Sequence, residues 1–120
     1  NPYAYDVLVA PNLYGDIISD LGSALVGGLG VAPGANLGDG VAVFEAVHGS
    51  APDIAGKDLA NPTSAILSSA MMLKHLGMKE EGQRIEDAIA ACFASGQMTG
   101  ELGGTLGCKA FTEAIIKNMK

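Results

Sequence analysis

Ten of the 17 glycines in this chain fall within the 42 residues 15–56, and that clustering limits the folds open to it. Glycine in a helix or strand interior costs roughly 0.5–1 kcal/mol relative to alanine. The excess therefore marks tight turns, close approach of backbone to backbone or ligand, and the connection between segments rather than general flexibility. Apolar residues make up 48% of the chain and the glycines show no three-residue period, so neither a disordered segment nor a collagen-like one is in question.

Around the glycine-rich stretch the pattern alternates between strand and helix. Residues 5–10, Tyr-Asp-Val-Leu-Val-Ala, form a β-branched apolar run halted by Pro11, which predicts a strand buried on both faces. Ile17, Leu21, Ala24 and Leu25 recur at helical spacing, so a helix is expected over residues 16–26, stopped by Gly27-Gly28. Residues 29–40 read as loop, 41–44 as a second short strand, and 45–60 as loop again. Asn61-Pro62 is a helix start, with Asn as cap and Pro where its missing donor costs nothing. That helix runs to Leu76, is apolar on most sides through Ile66, Leu67, Ala70, Met71, Met72 and Leu73, and should be buried. A second, over residues 80–95, carries Ile85, Ile89 and Cys92 on one stripe. After a glycine-rich connection (residues 96–107), a last helix has Phe111, Ile115 and Met119 on one face, with Lys117 and Lys120 at its negative end. Strand, loop and helix in this order indicate an α/β fold.

Charge narrows the choice of partner. Seven basic against 13 acidic residues give a net charge of −6, which argues against nucleic acid as a partner. The uncharged run over residues 21–38 contains six glycines, a proline and an asparagine, so it reads as loop and no membrane span is expected. Cys92 and Cys108 stand 16 apart without a nearby histidine; reduced thiols are expected and no zinc site. The N-terminus, Asn1-Pro2-Tyr3, lacks methionine and any signal-like stretch and reads as an internal cut. Arg84 is the only arginine, whereas a polycarboxylate substrate calls for several arginines as bidentate clamps.

Two constellations carry chemistry. In Asn12-Leu13-Tyr14-Gly15-Asp16-Ile17-Ile18-Ser19-Asp20, Asp16 and Asp20 are four apart on a predicted helix, so both carboxylates project from one face near its positive end. Such a pair suits magnesium or manganese, which keeps positions for waters and substrate oxygens; on spacing alone, a capping Asp16 and a solvated Asp20 account for it better, because an isolated acidic pair four apart is a weak motif. The second is His48-Gly49-Ser50-Ala51-Pro52-Asp53-Ile54-Ala55-Gly56, followed by the capped helix. Its small residues allow close backbone approach to a ligand, and Asp53 can accept both ribose hydroxyls of an adenine nucleotide while repelling a ribose phosphate. His48 could equally be a packed histidine with a backbone partner, and His75 reads as one. The Gly-x-Gly-x-x-Gly fingerprint is missing after the first strand, which argues against a Rossmann site.

In order, Asn12 to Asp20, Gly27-Gly28-Leu29-Gly30, His48 to Gly56 and Asn61-Pro62 resemble the motif series of the β-decarboxylating dehydrogenases, a family acting on isocitrate, 3-isopropylmalate and homoisocitrate. Gly30-Val31-Ala32-Pro33-Gly34-Ala35-Asn36, Val43-Phe44-Glu45-Ala46-Val47-His48, Met71-Met72-Leu73-Lys74-His75 and Phe111-Thr112-Glu113 most resemble its isocitrate branch. The resemblance covers essentially the whole chain but only the C-terminal third of the family's subunits. It implies the family's three-layer α/β fold, C-terminal portion only, with residues 1–27 in the small dimer-forming domain and 28–120 in the large nucleotide-binding domain. It implies Asp16 and Asp20 as magnesium or manganese ligands. His48, Gly49, Ser50, Ala51, Pro52, Asp53, Ile54 and Asn61 become the adenine-nucleotide site, with Asn12 and Glu45 nearer the nicotinamide.

NADP-using relatives carry lysine and tyrosine where this chain has Asp53 and Ile54, and cationic or aromatic residues where it has Gly100, Gly103 and Gly104. The resemblance thus implies NAD. The family's substrate clamp, catalytic tyrosine and lysine and third metal aspartate lie upstream, so no catalytic residue is expected in this chain. The implied parent is an NAD-dependent isocitrate dehydrogenase, at least a dimer, homo- or hetero-oligomeric, cytoplasmic if bacterial and in the mitochondrial matrix if eukaryotic. A 3-isopropylmalate or homoisocitrate dehydrogenase, or a non-catalytic fragment or assembly subunit, stands as the alternative.

Overall fold

The structure, a computed structural model, describes residues 1–119; the expected role of Lys120 lies outside the described residues. Its elements are helix α1 (Asn12–Leu25), strands β1 (Pro33–Gly38) and β2 (Val41–Ala46), and helices α2 (Thr63–His75), α3 (Lys79–Ala94) and α4 (Cys108–Asn118), with short 3₁₀ turns at Pro2–Ala4, Pro52–Ile54 and Gly100–Leu102. The hairpin packs on α2, α2 on α3, and α3 on α4, while α1 touches no other helix or strand among the described residues.

The last three helices follow their sequence signals. The Asn61 side chain accepts the Thr63 N–H at 3.0 Å and the Thr63 hydroxyl at 2.6 Å, a capping bond as expected, although the N-cap position itself falls on Pro62 and the helix begins at Thr63. Helix α2, expected to be buried, fully encloses only small residues, Thr63, Ser64, Ser68 and Ala70; Ile66, Leu67, Met71 and Leu73 are half-buried and Met72 is exposed. Hydroxyls at these positions hold the hairpin, since Ser68 Oγ donates to the Glu45 carbonyl at 2.8 Å and accepts the Gly34 N–H at 3.3 Å. Helix α3 buries Ala88, Ile89 and Cys92 against Phe111, Ala114 and Ile115 of α4, with Ile66, Leu67, Ile85 and Met119 packed around them. The rings of Phe93 and Phe111 stack at 5.9 Å. His75, read as a packed histidine, is instead exposed at the end of α2, its ring tilted against Phe44 at 5.5 Å and without a hydrogen-bond partner among the described residues.

Three expectations are corrected. Residues 5–10 form no strand and are exposed, Val7 at 80% and Val9 at 96%; a strand needs a ladder partner, and none stands beside this run among the described residues. Helix α1 begins at Asn12, not Asp16, with the Gly15 N–H already bonded to the Pro11 carbonyl at 2.8 Å. Asp16 is therefore neither a cap nor in the first turn, and the helix-dipole argument for it lapses. Residues 33–38, read as loop, pair with β2 in antiparallel register from Pro33↔Ala46 to Gly38↔Val41. Glycine and proline hide this strand from propensity, yet its turn, Asp39-Gly40, is a recognised two-residue hairpin signal; Gly40 supplies the positive φ, +83°.

Candidate functional site

A cleft of about 590 Å³ opens between the segment after β2, the cap of α2 and the start of α4. Its volume lies within the roughly 300–1,000 Å³ of small-molecule sites. His48, Gly49, Ser50, Ala51, Ile54 and Asn61 line it, all of them sequence-predicted. Pro52 and Asp53 belong to the 3₁₀ turn between those wall residues but do not line the cleft. Neither does Asn12, the first residue of α1, nor Glu45, whose carboxylate accepts the Asn36 amide at 3.1 Å across the hairpin.

The cleft is also where the backbone is strained. Among the described residues, only two non-glycine residues have positive φ, Ala51 at 43° and Asp58 at 58°, and both stand in its wall. Such conformations cost on the order of 1–3 kcal/mol for most L-residues and cluster at ligand sites. Ala51 reverses the chain into the 3₁₀ turn, and no hydrogen bond engages the amides of Gly49, Ser50 or Ala51 among the described residues. Free amides on a small-residue loop are donors for an anionic or polar ligand. His48 Nδ1 lies 2.9 Å from the Gly49 carbonyl, so the ring has a backbone partner and lines the cleft as well.

Asp58 closes the loop onto α4. Its carbonyl accepts the Cys108 N–H at 3.0 Å and its carboxylate accepts the Lys109 N–H at 2.9 Å. These are two of the orphan donors at the start of α4, where Gly107 offers no side-chain cap. Glu101, Cys108 and Lys109 complete the wall, and the sequence reading missed all three. Glu101 was concealed in a glycine-rich connection, which the structure ties into a compact loop by a parallel bridge between Thr99 and Leu106. Both cysteines are free thiols, Cys92 buried and Cys108 half-buried; burial in the core pushes the Cys92 thiol above its usual range, partly offset by the Asn118 amide.

Asp16 and Asp20 lie apart from this cleft, one turn apart on exposed α1. No protein hydrogen bond or ion pair engages either carboxylate among the described residues. No group of three His, Cys, Asp or Glu side chains that could hold a metal occurs there. Two free carboxylates one helical turn apart do fit a magnesium-type ion, which is commonly held by one or two carboxylates with waters and substrate supplying the rest.

Solved structures place this arrangement among the decarboxylating dehydrogenases. A β-decarboxylating dehydrogenase from Thermococcus kodakarensis superposes with a TM-score of 0.86 at 44% identity, over 99% of this chain and 35% of that one. The isocitrate dehydrogenase of Methylococcus capsulatus superposes at 0.93 with 48% identity, over 98% of this chain and 36% of that one. The family described as isocitrate/isopropylmalate dehydrogenase matches residues 1–115, and the chain belongs to that family. It is 57% identical over 119 residues to the isocitrate/homoisocitrate dehydrogenase of Thermus thermophilus, covering 99% of this chain and 36% of that protein. It is 55% identical over 122 residues to the mitochondrial NAD isocitrate dehydrogenase subunit alpha of Homo sapiens, covering 100% of this chain and 33% of that protein. The chain thus spans about a third of the length of these relatives, and its fold is the corresponding portion of the α/β isocitrate/isopropylmalate dehydrogenase fold.

Proposed function

We propose that this chain is the nucleotide-binding part of a subunit that oxidatively decarboxylates isocitrate to 2-oxoglutarate with NAD and magnesium or manganese. The observation that carries the reading is the cleft whose wall holds His48, Gly49, Ser50, Ala51, Ile54 and Asn61 together with both left-handed non-glycine residues. In this reading the unbonded amides of residues 49–51 donate to the nucleotide, and Asn61 presents its amide to the base. Asp53 is the middle residue of the 3₁₀ turn and an exposed carboxylate, able to accept ribose hydroxyls and to repel a ribose phosphate. Pro52 fixes that turn, while Asn12 and Glu45 serve the nicotinamide end.

Asp16 and Asp20 hold the divalent ion through their free carboxylates, the other ligands coming from upstream sequence, a partner subunit and the substrate. When bound, the ion supplies Lewis acidity to the substrate's hydroxyl and to the charge left by loss of carbon dioxide. Residues 1–27 form part of a small dimer-forming domain and 28–120 part of the large domain, in keeping with an α1 that packs on no other helix or strand among the described residues. The working enzyme is at least a dimer, cytoplasmic in a bacterium or in the mitochondrial matrix of a eukaryote. A second reading, homoisocitrate as substrate, is favoured by the dual name of the Thermus relative.

The test is exchange of the ribose-reading pair in the full-length enzyme. Asp53→Lys with Ile54→Tyr should weaken NADH binding, measured by calorimetry, and admit NADPH; an unchanged NADH/NADPH affinity ratio refutes the assignment.

A further inference from the structure

The Asn61 side chain is held at both ends. Its oxygen must face α2, because the Thr63 backbone N–H, which can only donate, reaches it at 3.0 Å. The amide nitrogen must then face the other way, and it donates to the Glu101 carboxylate at 2.9 Å. Asn61 is only 5% exposed, so this orientation is set by the protein rather than by solvent. The pair is built from three distant segments: a Cβ at Gly30 would run into the Glu101 carboxylate and stand 3.3 Å from the Asn61 Cβ, so a glycine there leaves room for both side chains. Gly30, Asn61 and Glu101 all line the cleft. An amide nitrogen carries two donors; Glu101 takes one, and, with the side-chain oxygen engaged by Thr63 through both its N–H and its hydroxyl, the other is the unspent donor of the Asn61 side chain among the described residues.

We propose that Glu101 is a positioning residue: by accepting one Asn61 N–H it directs the second toward an acceptor nitrogen of the nucleotide base. The inference rests on the nucleotide reading of this cleft. Glu101 acts here as a hydrogen-bond acceptor, and its charge is not what matters. That separates it from a carboxylate that excludes a ribose phosphate, since glutamine preserves the acceptor and removes the charge.

The experiment uses the full-length enzyme and ADP-ribose, which carries the adenylate half of the dinucleotide without nicotinamide, with affinity read by calorimetry. Glu101→Ala should weaken ADP-ribose roughly 5- to 10-fold, the scale of one well-oriented hydrogen bond, and raise KM for NAD with kcat unchanged. Glu101→Gln should stay within about 2-fold of wild type. Asn61→Asp keeps an acceptor for Thr63 but sets two carboxylates together and removes the donor, so it should lose at least as much affinity as Glu101→Ala. Combining Asn61→Asp with Glu101→Gln restores a paired contact, and thermal stability with it, without restoring the donor. Affinity in the double variant should therefore remain low. Recovery of affinity there would make the pair merely structural and overturn the proposal, as would Glu101→Gln behaving like Glu101→Ala. Wild-type binding of ADP-ribose with Glu101→Ala unaffected would refute the positioning role alone, whereas failure of wild type to bind ADP-ribose would refute the nucleotide reading as well.

Discussion

Asp58 joins the two walls of the cleft, and three substitutions at this one position separate its contributions. Its carboxylate caps the Lys109 N–H at 2.9 Å and its carbonyl receives the Cys108 N–H at 3.0 Å, while its own φ is 58°. Removing a side-chain cap costs about 1 kcal/mol, within a range of roughly 0.5–2. Placing alanine in the left-handed region adds about 1–2 kcal/mol, a cost that glycine avoids and that asparagine or aspartate bear more lightly. Asp58→Ala should therefore cost about 2–3 kcal/mol of local stability, Asp58→Gly about 1–1.5 and Asp58→Asn a few tenths. The assay is native-state amide exchange of the full-length enzyme, followed at Lys109 and Cys108. With about 1.4 kcal/mol per decade, exchange at Lys109 should quicken roughly 30- to 100-fold in Asp58→Ala and about 10-fold in Asp58→Gly. NADH affinity should fall in the same order, because the loop and α4 form opposite walls of one cleft. Glycine proving as damaging as alanine would show that φ contributes nothing. Unaltered protection at Lys109 in Asp58→Ala would show that the cap contributes nothing.

Other outcomes follow from the same geometry. Asp16→Asn in the full-length enzyme should reduce activity strongly, with added manganese recovering little of it; unchanged turnover would remove Asp16 from the metal site. Iodoacetamide should modify Cys108, half-buried in the cleft wall, and spare Cys92 in the core until the protein unfolds. Saturating NADH should slow the reaction at Cys108, and equal rates with and without NADH would place the nucleotide elsewhere. Because burial raises the Cys92 thiol, the unfolded chain loses this proton first as pH climbs. Its contribution is intact below the ordinary thiol pKa of about 8.5 and declines above it, so Cys92→Ala should flatten the alkaline fall of the unfolding midpoint. The 120 residues by themselves should form no NADH from isocitrate, and any such turnover would overturn the view that half the active site is elsewhere.

The elements legible in the sequence were those encoded by local chemistry. Asn61-Pro62 announces α2 because a cap needs only neighbours two residues away, and the Ile89-Cys92 and Phe111-Ile115 stripes announce α3 and α4 because their partners lie within the described chain. Strand β1 escaped because Pro33, Gly34 and Gly38 carry no strand propensity; its pairing is held through backbone bonds to β2 and the Ser68 hydroxyl. The small residues of the cleft loop were readable, since they describe what a backbone can approach. Glu101 was not, because its meaning depends on the Thr99–Leu106 closure and on the gap at Gly30, neither of which leaves a local trace.

The misread strand belongs to the same physics from the other side. Val7, Leu8 and Val9 have the composition of a doubly covered strand, and Leu13, Tyr14, Ile17, Ile18, Leu21 and Leu25, with Val26 just after them, give α1 the surface of a helix meant to be packed, yet all ten are exposed. A sequence records the surroundings in which its residues are selected, and apolar area left in water costs about 25 cal/mol per Å². Such a surface is a liability unless other chain covers it. The scarcity of arginine and the carboxylates of Asp16 and Asp20 on that same helix, unpaired among the described residues, point in the same direction: covering groups and counter-charges are wanted at that end of the molecule, as are the remaining ligands of the metal site proposed above. The cleft end is nearly self-sufficient, with its cap, its hydrogen-bonded pair and its strained turns all supplied by residues 30–109. On the reading proposed above, nucleotide binding is therefore the function that this stretch of chain can best carry, and substrate chemistry the one it would share.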